Sequence, residues 1–278
     1  MGVWRDKVEV ADVNGAVAAT LYLGDAYAVM PALIAAGALQ RAETACVTDP
    51  PYEFNTSGGG AFRKERPNMD AIEAAGLNRG FDISILDEPS LDGPGGAIAD
   101  PQAWAASAVV FCHDNQGPAV WAALRARYRR AVACFWHKTN PQPLANKHYK
   151  ADLELYFHAW DAGAHPVGAL TEKTRVWRGS VGKSAFSHPT VKPLGLMAKI
   201  MTNVSARMIV DPFMGSGTTG VAAVRAGKRF VGVETDAEHF ETAKKRLADG
   251  VLWQAPRTDV KAPGADEPAT TGEQEALF

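Results

Sequence analysis

The sequence predicts an α/β fold with a mostly parallel sheet, on three observations. Apolar runs of strand length recur along the chain and alternate with stretches of helical character. Two of those runs stop abruptly. Ala45-Cys46-Val47 leads to Pro50-Pro51, and Met208-Ile209-Val210-Asp211 leads to a glycine-rich turn. Finally, 278 residues with 46% apolar content can bury one substantial core, so roughly one to two domains are expected.

Taken in order, residues 8–23 alternate apolar and polar around Asn14-Gly15, which predicts a β-hairpin. A helix is expected over Ala26 to Gly37, with Asp25 as its N-cap. The strand into Asp49 follows. Residues 53–80, glycine-rich and then charged, read as a mobile loop beside that strand's end. Gly80 to Leu86 opens another unit, and a Pro/Gly-rich turn over 89–101 precedes a further helix. Strands are expected at Val109–Cys112, Ala131–Trp136 and Leu153–Phe157, with a helix over Trp121–Tyr128. An apolar helix covers Leu194 to Met201. The last unit is β-α-β: a strand to Asp211, a helix from Thr218 to about Ala226 closed by Gly227, and a strand Arg229–Glu234. An amphipathic helix over Ala237–Leu247 completes it.

Composition narrows the function classes. No apolar run reaches the ~18 residues that span a bilayer. The first residues lack the basic-then-apolar pattern of a secretory signal. Cys46, Cys112 and Cys134 cannot all pair and lack metal-ligand spacing, so buried thiols in a reducing cytoplasm are expected and no metal site. The formal charge is −2, so affinity for nucleic acid must come from local patches. One such patch exists. No acid lies between Asp114 and Asp152, while Arg125, Arg127, Arg129, Arg130, Lys138, Lys147 and Lys150 do. Lys173, Arg175, Arg178 and Lys183 follow, interleaved with Trp177 and serines, a mixture that suits phosphate contacts.

Two constellations carry chemistry. Asp49-Pro50-Pro51-Tyr52 puts acceptor oxygens and a ring face at the carboxyl end of a strand, where ligands bind in open α/β sheets. The proline pair adds carbonyls without competing N–H groups. This suits a planar heterocycle bearing an amino group. The second is Asp211-Pro212-Phe213-Met214-Gly215-Ser216-Gly217-Thr218-Thr219-Gly220, with Glu234 ending the next strand. Its glycine spacing matches dinucleotide loops, and a carboxylate after the second strand can accept from ribose hydroxyls. Asp211, however, would repel a pyrophosphate and would attract an ammonium, such as that of S-adenosylmethionine. Between the two lies His188-Pro189-Thr190-Val191-Lys192-Pro193.

Together these residues resemble the amino-group DNA methyltransferases, the adenine-N6 and cytosine-N4 enzymes, in the permuted order with Asp49-Pro50-Pro51-Tyr52 ahead of the cofactor loop. Trp136 to Pro143 is also similar to a segment of this family, and the resemblance covers roughly residues 20–248. It implies an S-adenosylmethionine-dependent methyltransferase (Rossmann-like) fold with a circularly permuted seven-stranded sheet. The catalytic domain would cover 1–253, with a small inserted DNA-recognition region over about 137–187. Asp49, Pro50, Pro51 and Tyr52 would be catalytic. Asp25, Lys192, Asp211, Pro212, Phe213, Gly215, Gly217, Thr218 and Glu234 would bind S-adenosylmethionine, Lys192 through its carboxylate. Lys138, Lys147, Arg175, Arg178 and Lys183 would contact double-stranded DNA. Asp at the head of the acceptor motif leans towards adenine. Cytosine-N4, an RNA or protein-amide acceptor, and a non-catalytic nucleic-acid-binding protein are the alternatives. A monomer or homodimer is expected. Residues 254–278 read as a disordered tail. The tail's end, Gln274-Glu275-Ala276-Leu277-Phe278, is similar to peptides that bind the bacterial replication sliding clamp.

Overall fold

A computed structural model describes residues 2–52, 80–87, 103–141, 149–181 and 192–252. The expected loop after Tyr52, the turn over 89–101, Lys147, Lys183, the His188–Val191 stretch and the tail with Gln274–Phe278 lie outside the described residues.

Nine strands lie among the described residues: β1 (Asp6–Ala11), β2 (Val17–Leu23), β3 (Thr44–Thr48), β4 (Ser107–Cys112), β5 (Arg130–Lys138), β6 (Leu153–Trp160), β7 (Val176–Gly179), β8 (Met208–Asp211) and β9 (Arg229–Glu234). They form one sheet in the order β1-β2-β9-β8-β3-β4-β6-β5-β7. The parallel frame is the expected one. β1 pairs antiparallel with β2, and β6 runs against β4 and β5; every other pairing is parallel. Seven strands from β2 to β5 make the anticipated sheet, and β1 and β7 extend it at the two edges. Sequence patterning passed over β7 because an exposed edge strand carries little apolar alternation: only Trp177 and Gly179 of its four residues are even half-buried.

Helices α1 (Ala26–Ala35), α2 (Gly117–Arg127), α3 (Leu194–Asn203), α4 (Thr218–Arg225) and α5 (Ala237–Leu252) cover the two faces. Alternation along β3 divides the core. Ala45 and Val47 point into a cluster with Leu196, Ile200, Val221 and Phe240 from α3, α4 and α5. Cys46 points the other way, towards Val29, Met30 and Leu33 of α1 and Val120 and Leu124 of α2. All five residues of β3 and all six of β4 are buried, which is why they read as continuous apolar runs. Each large side chain fully buried here contributes roughly 1.5–3 kcal/mol.

Several local expectations hold for identifiable reasons. Asp12 Oδ1 accepts from Asn14 and Ala16 N–H and closes the hairpin, with Gly15 at φ 82°. Asp25 caps α1 through Tyr27 N–H, at 3.0 Å. Two helix expectations need correction. α2 begins at Gly117, ahead of the expected Trp121, because Pro118 in its first turn is pre-set for helix. Among the described residues 103–106, no helix leads into β4: Ala103 bridges to Asp87, and Trp104 is buried with its indole N–H on Ile85 O. Within the stretch 137–187, β6 and β7 are strands of the sheet. No described helix is long and apolar enough to cross a membrane.

Candidate active site

The carboxyl ends of β3 and β8 lie side by side, because the two strands pair in parallel with Cys46 opposite Val210. This register joins the two motifs. Thr48 Oγ1, one residue before Asp49, donates to Asp211 Oδ1 at 2.7 Å, and Phe213 N–H donates to the same oxygen at 3.1 Å. Asp211 is buried, and burial pushes its carboxyl up to about 7. It therefore acts as the knot between the loops. Thr48 had no distinguishing signal in the sequence, since its role depends on a strand more than a hundred residues away.

The glycine loop is shaped as much by helix packing as by a ligand. Gly217 caps α4 with φ 80°, and a Cβ there would sit 2.9 Å from Ala243 Cβ on α5. At Gly220 a Cβ would meet Phe230 of β9 at 2.6 Å. Glu234 closes the loop: Oε2 accepts from Gly215 N–H at 2.9 Å, and Oε1 from Thr235 and Asp236 N–H at 2.8 Å each. Three donors leave room for one more on a carboxylate with about four acceptor sites. Beside it, Gly24 N–H donates to Glu234 O, which brings the Asp25 turn to the same edge. Phe213 packs against Tyr27 and Phe81, with ring centroids 6.0 and 6.2 Å away. These two aromatics were not singled out from the sequence. Pro212 is buried, and the Thr218 hydroxyl is already held by Arg246 at 3.0 Å, so Thr218 faces α5.

The Asp49 side of the cleft holds a charge network. Lys192 is buried, and its ammonium donates to Asp49 Oδ2 at 2.5 Å and to Glu154 Oε1 at 2.8 Å. It also lies 5.3 Å from the Tyr52 ring centre and 5.1 Å from that of Phe111. Tyr52 Oη donates to Glu154 Oε1 at 3.1 Å, and Lys138 Nζ reaches Glu154 Oε2 at 2.8 Å. Burial raises the Asp49 carboxyl against the pull of Lys192. Burial also works on Glu154, but Lys192 and Lys138 hold it down to about 2. Asp49 Oδ1 is buried and has no hydrogen-bond partner among the described residues.

Lys192, expected at a cofactor carboxylate, is placed here against Asp49 and Glu154. Lys138, expected at DNA, is placed against Glu154 and lies 5.1 Å from the Trp136 ring centre. Glu154, the centre of the network, was missed. It sits among apolar residues of β6, and nothing local marks it.

The basic stretch divides. Arg127 forms a two-point pair with Asp87 at 2.5 and 2.9 Å. Arg130 starts β5, at the sheet edge opposite the site. Arg178 is exposed and lies opposite His137 near the carboxyl end of β5. Arg175 precedes β7 and lines a separate cleft of about 270 Å³ with Tyr156, His158 and Lys199. No cysteine is activated: burial pushes Cys112 up to about 12 and Cys134 to about 11.

Comparison with known proteins gives a consistent picture. A family model described as DNA methylase matches residues 106–245. The type II methyltransferase M2.DpnII of Streptococcus pneumoniae is 43% identical over 131 residues, covering 40% of this chain and 48% of that relative. The chain thus spans less than half the length of the curated relatives it matches. The crystal structure of the M1.HpyAVI–SAM complex superposes with a TM-score of 0.54 at 28% identity, covering 82% of this chain and all of that one. The PvuII cytosine-N4-specific DNA methyltransferase, 14% identical with a TM-score of 0.54 over 90% of this chain and 95% of its own, shares the fold.

Proposed function

The chain belongs to the DNA methylase family, whose model spans residues 106–245, and on that premise we propose that it moves a methyl group from S-adenosylmethionine to the 6-amino group of an adenine turned out of duplex DNA. The observation that carries this reading is the buried, unpartnered Asp49 Oδ1 at the carboxyl end of β3, next to the glycine loop and tied to it through Thr48 and Asp211.

The donor set around the loop suits this cofactor. Carboxylates Asp25, Asp211 and Glu234 ring the turn and would repel a pyrophosphate, while Phe213, Tyr27 and Phe81 offer ring faces for a purine. Asp25 and Glu234 would take sugar hydroxyls, and Phe213, Gly215 and Gly217 would form the wall. When bound, S-adenosylmethionine supplies an electrophilic methyl group.

The protein's own residues then solve the remaining difficulty, which is the weak nucleophilicity of an aromatic amine. Asp49 Oδ1 and the Pro50 carbonyl would each accept one N–H, turning the nitrogen lone pair towards the methyl. Transfer would break the methyl–sulfur bond as the methyl–nitrogen bond forms, leaving a neutral thioether; the positive charge on nitrogen would lie beside the Asp49 carboxylate, the cationic counterpart of an oxyanion hole, until the amine loses a proton. Tyr52 would stack on the base and recover part of the few kcal/mol spent in unstacking it. Arg178, Lys147 and Lys183 are the proposed phosphate contacts. Adenine is preferred on the Asp49-headed motif. The PvuII likeness leaves cytosine-N4 as the alternative base, because the fold alone does not choose. A reducing cytoplasm suits the three buried unpaired thiols.

The test is transfer of labelled methyl groups from S-adenosylmethionine to mixed-sequence duplex DNA, with RNA and protein as parallel acceptors. Label in DNA is expected, and label confined to RNA or protein would overturn the assignment. The Gln274–Phe278 peptide is proposed to bind the sliding clamp. Its deletion should abolish clamp binding in a pull-down, and absence of clamp affinity in the full chain would end the idea.

A further inference from the structure

We propose that Glu154 is a positioning residue of the acceptor site, holding Lys192 off one oxygen of Asp49 and fixing the Tyr52 ring, so that Asp49 Oδ1 stays unpartnered until the amine arrives. The inference deepens the methyl-transfer reading and rests on it.

An ammonium has three N–H donors, and a lone carboxylate beside it would engage them with both oxygens. Here Lys192 meets only Asp49 Oδ2, because Glu154 Oε1, 2.8 Å away, draws the ammonium to one side. The same Oε1 accepts from Tyr52 Oη, so one carboxylate orients both the acceptor group's counter-ion and the stacking ring. Charge makes a second argument. Asp49 and Glu154 carry two negative charges and Lys138 and Lys192 two positive, so the cluster is neutral as a whole. Without Glu154 an excess positive charge would lie beside the nitrogen that itself becomes positive during transfer, and like charges in a partly dry site repel. Glu154 is only 12% exposed on its side chain, so solvent would not screen that repulsion well.

The test compares wild type, Glu154→Gln and Glu154→Asp in methyl transfer to DNA, reading kcat, KM for DNA, cofactor affinity by titration and the pH profile. Glu154→Gln keeps the shape and loses the charge. Its kcat should fall on the order of 10²-fold, with cofactor affinity and KM little changed. The acid limb of kcat should move to lower pH, since the Glu154 charge no longer raises Asp49. A role confined to stability would lower activity without moving that limb. Glu154→Asp keeps the charge and should recover part of the rate with the wild-type limb. An unchanged kcat and acid limb in Glu154→Gln would overturn the proposal. If that variant does not fold, Glu154→Asp decides, and a shifted limb there would overturn it. Failure of the wild type to methylate DNA would instead defeat the underlying reading.

Discussion

Replacing Asp49 with alanine is expected to lower methyl transfer by roughly 10²-fold or more while leaving cofactor binding intact. The separation follows from the architecture. Asp49 lies just beyond β3, and the bond that ties this strand to the glycine loop, Thr48 to Asp211, does not involve the Asp49 side chain. What the substitution removes is the unpartnered Oδ1 acceptor and the carboxylate that offsets developing positive charge. Single-turnover rates with saturating DNA, alongside a cofactor titration, check both halves. Near-normal turnover would remove Asp49 from the chemistry.

The second large effect concerns stability. Lys192→Met should destabilise the fold by about 3–5 kcal/mol near neutral pH, because it strips the shared cation from two carboxylates in one buried site. Asp49 and Glu154 would then repel, and the pair would relieve this by taking up a proton. In the wild type, Lys192 and Lys138 hold Glu154 down to about 2, below its ordinary 4.5. A carboxyl depressed in the fold contributes stability that is present above about 4.5 and fades as pH falls towards 2. In the variant the carboxylates are raised, so folding takes up protons and the penalty grows as pH rises. The stability gap between wild type and Lys192→Met should therefore be wide at neutral pH and narrow on acidification. Urea unfolding of both proteins at several pH values measures it. A gap that does not change with pH would mean that Lys192 contributes packing rather than charge.

The parts of this protein that were legible in the sequence are those set by local chemistry. Pro50 and Pro51 end a strand wherever they occur, and Gly217 with φ 80° marks the start of α4, so the two motifs and the parallel frame followed directly. The apolar runs of β3 and β4 were visible because both faces of those strands are buried. The parts that were not legible depend on which strands become neighbours. β6 inserts antiparallel between β4 and β5, and that placement brings Glu154 to Lys192 and Lys138. The ion pairs of Lys192 were equally hidden, because Asp49 and Glu154 lie far from it in sequence. Arg127 is a further case. It sat in a stretch free of acids, yet its partner Asp87 reaches it from an earlier turn. Charge patches read from sequence overstate free cations for this reason: a buried or half-buried guanidinium finds a carboxylate wherever the fold supplies one.

The most direct measurement is the chemical identity of the methylated nucleoside. Duplex DNA of mixed sequence would be incubated with the protein and labelled S-adenosylmethionine, digested to nucleosides and resolved by mass spectrometry. N6-methyladenine is the expected product. N4-methylcytosine would retain Asp49 and the amino-group chemistry while overturning the choice of base. A base methylated on carbon, or no methylated nucleoside with cofactor bound, would contradict an acceptor site built to receive an exocyclic amine.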